Sequence, residues 1–208
     1  VVAAVRRHSP ALIGVDVTQA LGRVPLALGD VDLIVSSTHK WILASHGGGL
    51  VGVPARSADR WRVPAGGWFH LLDPFGPDRF EQARSKPGAA GFAVGMPNYP
   101  AIYAIRAALQ YIRGIGVAAI HQAAQPLTQR CLDELRRLPV ELLTPLDPSA
   151  LAGIIAFRHP DAERIHQALH AKQIHLMAHA GRLRIACHGY NTPEDVETLV
   201  KELGSALS

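Results

Sequence analysis

Short apolar runs broken by turn residues fill the early part of the chain, and longer helical patterns take over after it. Ala11-Leu12-Ile13-Gly14-Val15 and Val31-Asp32-Leu33-Ile34-Val35 are too short for helices and rich in β-branched side chains, so they read as buried strands of a parallel sheet. Gly49-Leu50-Val51-Gly52-Val53, closed by Pro54, reads as a third strand. Residues 61 to 98 are rich in Gly, Pro and aromatics and predict irregular active-site loop more than linker. Beyond Asn98, Ala101, Ile102, Ile105, Ala108, Leu109 and Ile112 recur at helical spacing up to Gly114, and 117 to 138 predicts a second helix. From about 140 the pattern changes again. It predicts a strand over 151–157, a helix over 161–172, strands near 174–177 and 182–187, and a helix over 193–207. Thr192-Pro193-Glu194-Asp195 supplies that last helix with an N-cap, a proline at its first position and acids in its first turn.

The early strands matter because of what stands at their ends. Ligands of doubly wound sheets sit beyond the carboxyl ends of the strands. There the chain offers Asp16-Val17-Thr18-Gln19 and, further on, Ser37-Thr38-His39-Lys40. Read alone, Asp16 is a turn residue and Lys40 a solvated surface cation. Together they pair an amine that can form a Schiff base with a carboxylate that can hold a protonated ring nitrogen. That pairing is the chemistry of pyridoxal phosphate.

These segments, with Gly95-Met96-Pro97-Asn98 and Arg184-Ile185-Ala186-Cys187-His188-Gly189-Tyr190-Asn191-Thr192, occur in the order of the class V aminotransferase family of fold-type I pyridoxal-phosphate enzymes, which the chain resembles. That family includes aminotransferases, cysteine desulfurases, isopenicillin-epimerase-like proteins and, more distantly, kynureninases. The resemblance implies an α/β fold: the end of a doubly wound, mostly parallel large-domain sheet over 1–98, connecting helices over 99–138, and a small C-terminal α+β domain over 139–208. It implies pyridoxal 5'-phosphate as cofactor, held by Asp16 at the pyridine nitrogen, Gln19 at the phenolic oxygen, Ser37 and His39 at the phosphate, and Lys40 as the catalytic Schiff-base lysine. Arg184 would bind the α-carboxylate of an amino-acid substrate, against the alternative of a structural salt bridge to Asp195 or Glu194. A homodimer is implied too, with the loop around Gly95 to Asn98 near the partner's cofactor.

Two departures and one shortfall qualify that picture. Gly95-Met96-Pro97 stands where the family usually has Gly-Thr-Pro, so a hydroxyl that would reach phosphate across the dimer is missing. The stretch Gln173 to Gly181 holds no cysteine, which disfavours the persulfide chemistry of desulfurases at that position. The resemblance covers only the second part of much longer family members, and the chain opens at Val1 without an initiator methionine. The expectation is a fragment, inactive alone, whose ring-stacking residue and glycine-rich phosphate loop lie outside it. A truncated or degenerate dimerisation or binding module is the competing reading, and a kynureninase-like or desulfurase-like lyase is another.

Composition leaves these readings in place. Two cysteines, Cys131 and Cys187, make no disulfide framework and suit a reducing, cytoplasmic compartment. No apolar run approaches a membrane span. A net charge of +4 comes from scattered basic residues with only 6% aromatics, a balance that an anionic cofactor explains as well as nucleic acid would. His46-Gly47-Gly48-Gly49 resembles a lipase oxyanion motif, but no Gly-x-Ser-x-Gly elbow accompanies it, so it reads as a glycine-rich entry to a strand. His166 and His170 share a helix face, yet Gln167 stands where a zinc protease needs Glu, and no metal is expected. His175, His179 and His188 fall near the expected pocket mouth as possible substrate contacts.

Overall fold

A computed structural model describes residues 1–63 and 66–208. The chain divides into two compact units, Val1–Leu21 with Leu26–Gly114 and Gly22–Pro25 with Ile115–Ser208. The division falls inside the 99–138 region, between Gly114 and Ile115, at the last residue of its first helix. Pro64 and Ala65 of the expected active-site loop lie outside the described residues.

In the first unit, helix α1 (Val2–His8) precedes strand β1 (Gly14–Asp16), and β1 pairs in parallel with β2 (Leu33–Ser37) in the register Gly14 to Leu33 and Asp16 to Val35. Strand β3 (Gly49–Gly52) runs antiparallel beside β2, with Ser37 opposite Gly49. Parallel strands finish at the same edge, so the carboxyl ends of β1 and β2 share one end of the sheet. The antiparallel return of β3 closes residues 38 to 48 into a loop at that same end. The expected burial of these strands is not realised: Gly14 and Asp16 are exposed, and of β2 only Ser36 is buried. Their β-branched residues Val15, Ile34 and Val35 are only half-buried.

The amino end of β2 is tied down instead. Asp32 is 2% exposed, and its carboxylate accepts from the Ile13 N–H at 2.9 Å and the Ser57 hydroxyl at 2.8 Å while pairing with Arg6. Arg60 lies 3.7 Å away, and the Trp61 indole donates to the Asp32 carbonyl at 3.0 Å. The Arg6 guanidinium and these further donors hold the Asp32 carboxyl far below the usual carboxylate range. The described residues of 61–98 are largely irregular, as their composition predicts, apart from a 3₁₀ turn at Gly88–Phe92 and a bridge between Leu71 and Ser85. His70 pins this segment from inside, bonding the Gly91 carbonyl and the Ser85 hydroxyl at 2.7 Å each. Helix α2 (Tyr99–Ile115) starts where the Asn98 side chain accepts the Ala101 N–H at 3.2 Å.

The second unit is a four-stranded antiparallel sheet in the order β4 (Glu141–Leu142), β5 (Ile154–Arg158), β7 (Arg182–Ala186), β6 (Met177–His179). Its helices are α3 (Val117–Leu135), α4 (Ala162–Ala171) and α5 (Pro193–Leu207). One core joins Leu132 and Leu135 of α3, Ile165 and Leu169 of α4 and Leu199 and Leu203 of α5 to Ile155 and Phe157 of β5 and Leu183 and Ile185 of β7. Strand alternation then sends Arg182 and Arg184 to the opposite face. Strand β7 is therefore apolar on one face only. At the start of α5 Thr192 accepts the Asp195 N–H and Asp195 returns to the Thr192 N–H, a full capping box. The Gly22–Pro25 segment folds with this unit although its sequence neighbours belong to the other. Arg23 there is fully buried and donates to Gln125 Oε1 at 3.0 Å and the Ala152 carbonyl at 3.2 Å, with His121 Nδ1 at 3.1 Å.

Candidate active site

The turn after β1 is local in origin. The Val17 N–H still reaches the Val35 carbonyl at 2.9 Å, extending the pairing by one residue, and the Ala20 and Leu21 N–H groups then turn back onto the Val17 carbonyl. This places Asp16 as the last strand residue, with Thr18 and Gln19 on the turn. Asp16 is exposed, and one of its oxygens accepts the Thr18 N–H at 2.8 Å. Hydrogen bonds from Thr18 hold its carboxyl below the usual carboxylate range, so it stays ionised. The Thr18 hydroxyl oxygen also accepts the Ser37 N–H at 2.9 Å, coupling the two strand ends. Thr18 was present in the sequence motif without a role; its hydrogen bonds supply one.

The loop from 38 to 48 is held by Thr38, which is fully buried and donates to the Ser45 carbonyl at 3.2 Å or the Gly48 carbonyl at 3.1 Å. The Ala44 N–H returns to the Thr38 carbonyl at 2.9 Å, and Leu43 takes a left-handed backbone at φ 61° to make the turn. Trp41 and Ile42 are buried directly after Lys40 and anchor its backbone. A Cβ on Gly48 would stand 2.8 Å from Ile105 Cδ1 and 2.9 Å from Thr38 Oγ1, so a larger residue there would force these side chains to shift. The His39 ring stacks on that of His46 with centroids 4.1 Å apart. Burial, then the neighbouring His46 and Lys40, lower the proton affinity of His39. His46 had been read only as part of a glycine-rich strand entry; the spacing of His39 and His46 carries no signal that their rings meet.

The first unit thus brings Asp16, Gln19, Ser37, His39 and Lys40 to one end of one sheet. The donor set comprises an ionised carboxylate, an amide, hydroxyls, imidazoles and an amine that forms no ion pair among the described residues. Such a set suits an aromatic cofactor with a phosphate and a carbonyl. Met96 is exposed and brings no hydroxyl.

Arg184 belongs to the second unit, half-buried on the helix-free face with Ala156 of β5 and Met177 of β6 as its cross-strand neighbours. Its Nε is buried without a hydrogen-bond partner, and it makes no ion pair among the described residues. Asp195, the alternative partner, is engaged by the capping box and by Asn191 Nδ2 at 3.2 Å. Of the three histidines, His175 meets His170 edge-on at 4.9 Å, His188 stacks on Tyr190 at 5.0 Å and His179 is exposed at the end of β6. Burial first and Arg23 second lower the proton affinity of His188. Among the described residues no cluster of side chains is placed to hold a metal ion, and no helix is long and apolar enough to cross a membrane.

Comparison with known proteins bears on this arrangement. A family model described as aminotransferase class-V matches residues 1–199. An uncharacterised aminotransferase of Bacillus subtilis, YcbU, is 24% identical over 206 residues, covering 98% of this chain and 54% of its own length. A kynureninase of Xanthomonas campestris is 33% identical over 162 residues, covering 71% of this chain and 36% of its own. Among solved structures, a cysteine desulfurase of Thermococcus onnurineus superposes with a TM-score of 0.82 at 21% identity, over 98% of this chain and 54% of that one. The cystine C-S lyase C-DES, solved with its product cysteine persulfide, superposes with a TM-score of 0.79 at 27% identity, over 97% and 55%. A variant of C-DES carries glycine covalently linked to its pyridoxal phosphate. The chain spans about half the length of the first of these relatives.

Proposed function

The chain belongs to the class V aminotransferase family, and from that premise we propose that its first unit carries part of a pyridoxal 5'-phosphate site acting on an amino acid through Lys40. The observation that carries the reading is the convergence of Asp16, Gln19, Ser37, His39 and Lys40 on the shared carboxyl end of β1 and β2. Pyridoxal 5'-phosphate, the cofactor of this family, supplies an electron sink for a carbanion beside the substrate's amino nitrogen. Asp16, kept ionised by Thr18, would hold a protonated pyridine nitrogen through a charge-assisted hydrogen bond. Gln19 would meet the phenolic oxygen, and Ser37 and His39 the phosphate. Lys40 would supply the amine that holds the cofactor's carbonyl group and would move a proton at the substrate Cα.

Arg184 would grip the substrate α-carboxylate through two parallel hydrogen bonds. Its unpaired Nε supports this reading, because a buried guanidinium nitrogen without an acceptor costs free energy until an anion arrives. The activity would be transfer of an amino group or cleavage of a bond at the substrate's Cα or Cβ, the relatives being divided between aminotransferases and lyases. A homodimer is part of the proposal. Trp68, Phe75, Phe80 and Met96 leave an apolar surface on the 61–98 segment that asks for cover. Borohydride reduction of the protein with its cofactor, followed by peptide mapping, should leave the cofactor on the peptide containing Lys40. An adduct on any other lysine, or none, would sink the assignment.

A further inference from the structure

His46 lies outside the motif residues, yet its ring covers that of His39, 4.1 Å away and within 20° of parallel. The loop is built to hold it there. The Thr38 hydroxyl donates to the Ser45 or the Gly48 carbonyl, which flank His46, and Gly47 turns at φ 82° beside Asn98. Two rings in such contact do not both carry a proton readily, because like charges this close oppose each other. The other charged group bearing on His39 is Lys40, also cationic. Asn98 beside Gly47, and Thr38, Ala101 and Ile105 beside Gly48, are neutral. Neither His46 nor Lys40 stabilises a proton on His39. An arriving dianion would.

We propose that His39 and His46 act as one two-imidazole clamp for the cofactor's phosphate, taking up a single shared proton as the phosphate binds. This rests on the reading of the Lys40 end as a pyridoxal 5'-phosphate site and adds His46 to it. The direction of the pH effect follows. Burial, His46 and Lys40 lower the proton affinity of His39 before binding, and an arriving phosphate raises it. A group whose proton affinity rises on binding draws in a proton, so binding weakens as pH rises across the imidazole range.

The test compares pyridoxal 5'-phosphate with pyridoxal, which lacks the phosphate, by equilibrium dialysis at about pH 6 and about pH 8. The phosphate ester itself titrates near about pH 6, so the readout is the difference between the wild type and variants. His46→Phe keeps a flat ring for stacking but carries no proton. It should bind pyridoxal normally, bind pyridoxal 5'-phosphate on the order of tenfold more weakly at the lower pH, and show a flatter pH dependence. His46→Lys restores a fixed cation and should recover the affinity without the slope, which covers the case of a phenylalanine variant that folds poorly. A His46→Phe protein with wild-type affinity and slope overturns the clamp, as does equal loss of both ligands, which would make His46 a packing residue. A wild type that binds neither ligand overturns the cofactor reading itself, and the clamp with it.

Discussion

The two ends of β2 are built from similar residue types and resolve in opposite ways. At its amino end Asp32 is buried, and arginines, a serine hydroxyl, a backbone N–H and an indole close around it. At its carboxyl end Ser37, His39 and Lys40 remain partly exposed, with Asp16 ionised and open beside them on β1. A carboxylate surrounded by donors at one end locks strands to helices; polar groups left with spare capacity at the other can still spend it on a ligand. Saturation, more than residue identity, separates framework from site here.

That contrast can be broken most sharply at Lys40. Lys40→Ala should abolish the borohydride-trapped adduct while leaving thermal unfolding near the wild type. A large fall in Tm would put Lys40 in the framework. Arg184→Lys, at the same kind of unsatisfied position in the second unit, should weaken amino-acid binding by on the order of tenfold with the visible absorbance of bound cofactor unchanged. Normal amino-acid binding with lowered Tm would instead make Arg184 structural.

Substitutions at the saturated end should behave in reverse. Asp32→Ala strands Arg6, Ser57 and the Ile13 N–H, and should lower Tm by roughly 5 °C or more while the absorbance of bound cofactor in the surviving folded protein is unaltered. The sign of its pH dependence is fixed by the lowered carboxyl affinity. Its stabilisation is present above the unfolded carboxylate value of about 3.9 and is lost as pH falls below it, so the wild type should lose stability in acid more steeply than Asp32→Asn. The smallest effect belongs to Thr192→Ala, which removes half of the α5 capping box and should cost about 1 kcal/mol in chemical denaturation.

Local signals carried much of this into the sequence. The Thr192 cap, the start of α5, the helical spacing of α2 and the strand-end positions of Asp16 and Ser37 depend on residues a few places apart, and each appears where its pattern puts it. Long-range partners did not announce themselves. Asp32 sits inside an apparently apolar run, and its donors come from residues 6, 13, 57 and 60. Arg23, equally silent in sequence, meets acceptors about a hundred residues away. The antiparallel direction of β3 is decided by the closed loop around Thr38, whose hydrogen bonds no periodicity encodes. For the same reason Arg184 could be marked by its neighbours in the chain, but not its half-buried, unpaired state on the helix-free face.

The excursion at Gly22–Pro25 has a practical consequence for anyone who cuts the chain. The backbone crosses between the units at Leu21–Gly22, at Pro25–Leu26 and at Gly114–Ile115, so one scission cannot release either of them whole. A product beginning at Ile115 would lack Arg23 and leave Gln125 Oε1 and the Ala152 carbonyl without the guanidinium that now fills the space between them. A peptide of a few residues carrying that arginine would then be a ligand for the truncated unit, and its affinity would measure how much of that unit's stability is on loan from the other end of the sequence.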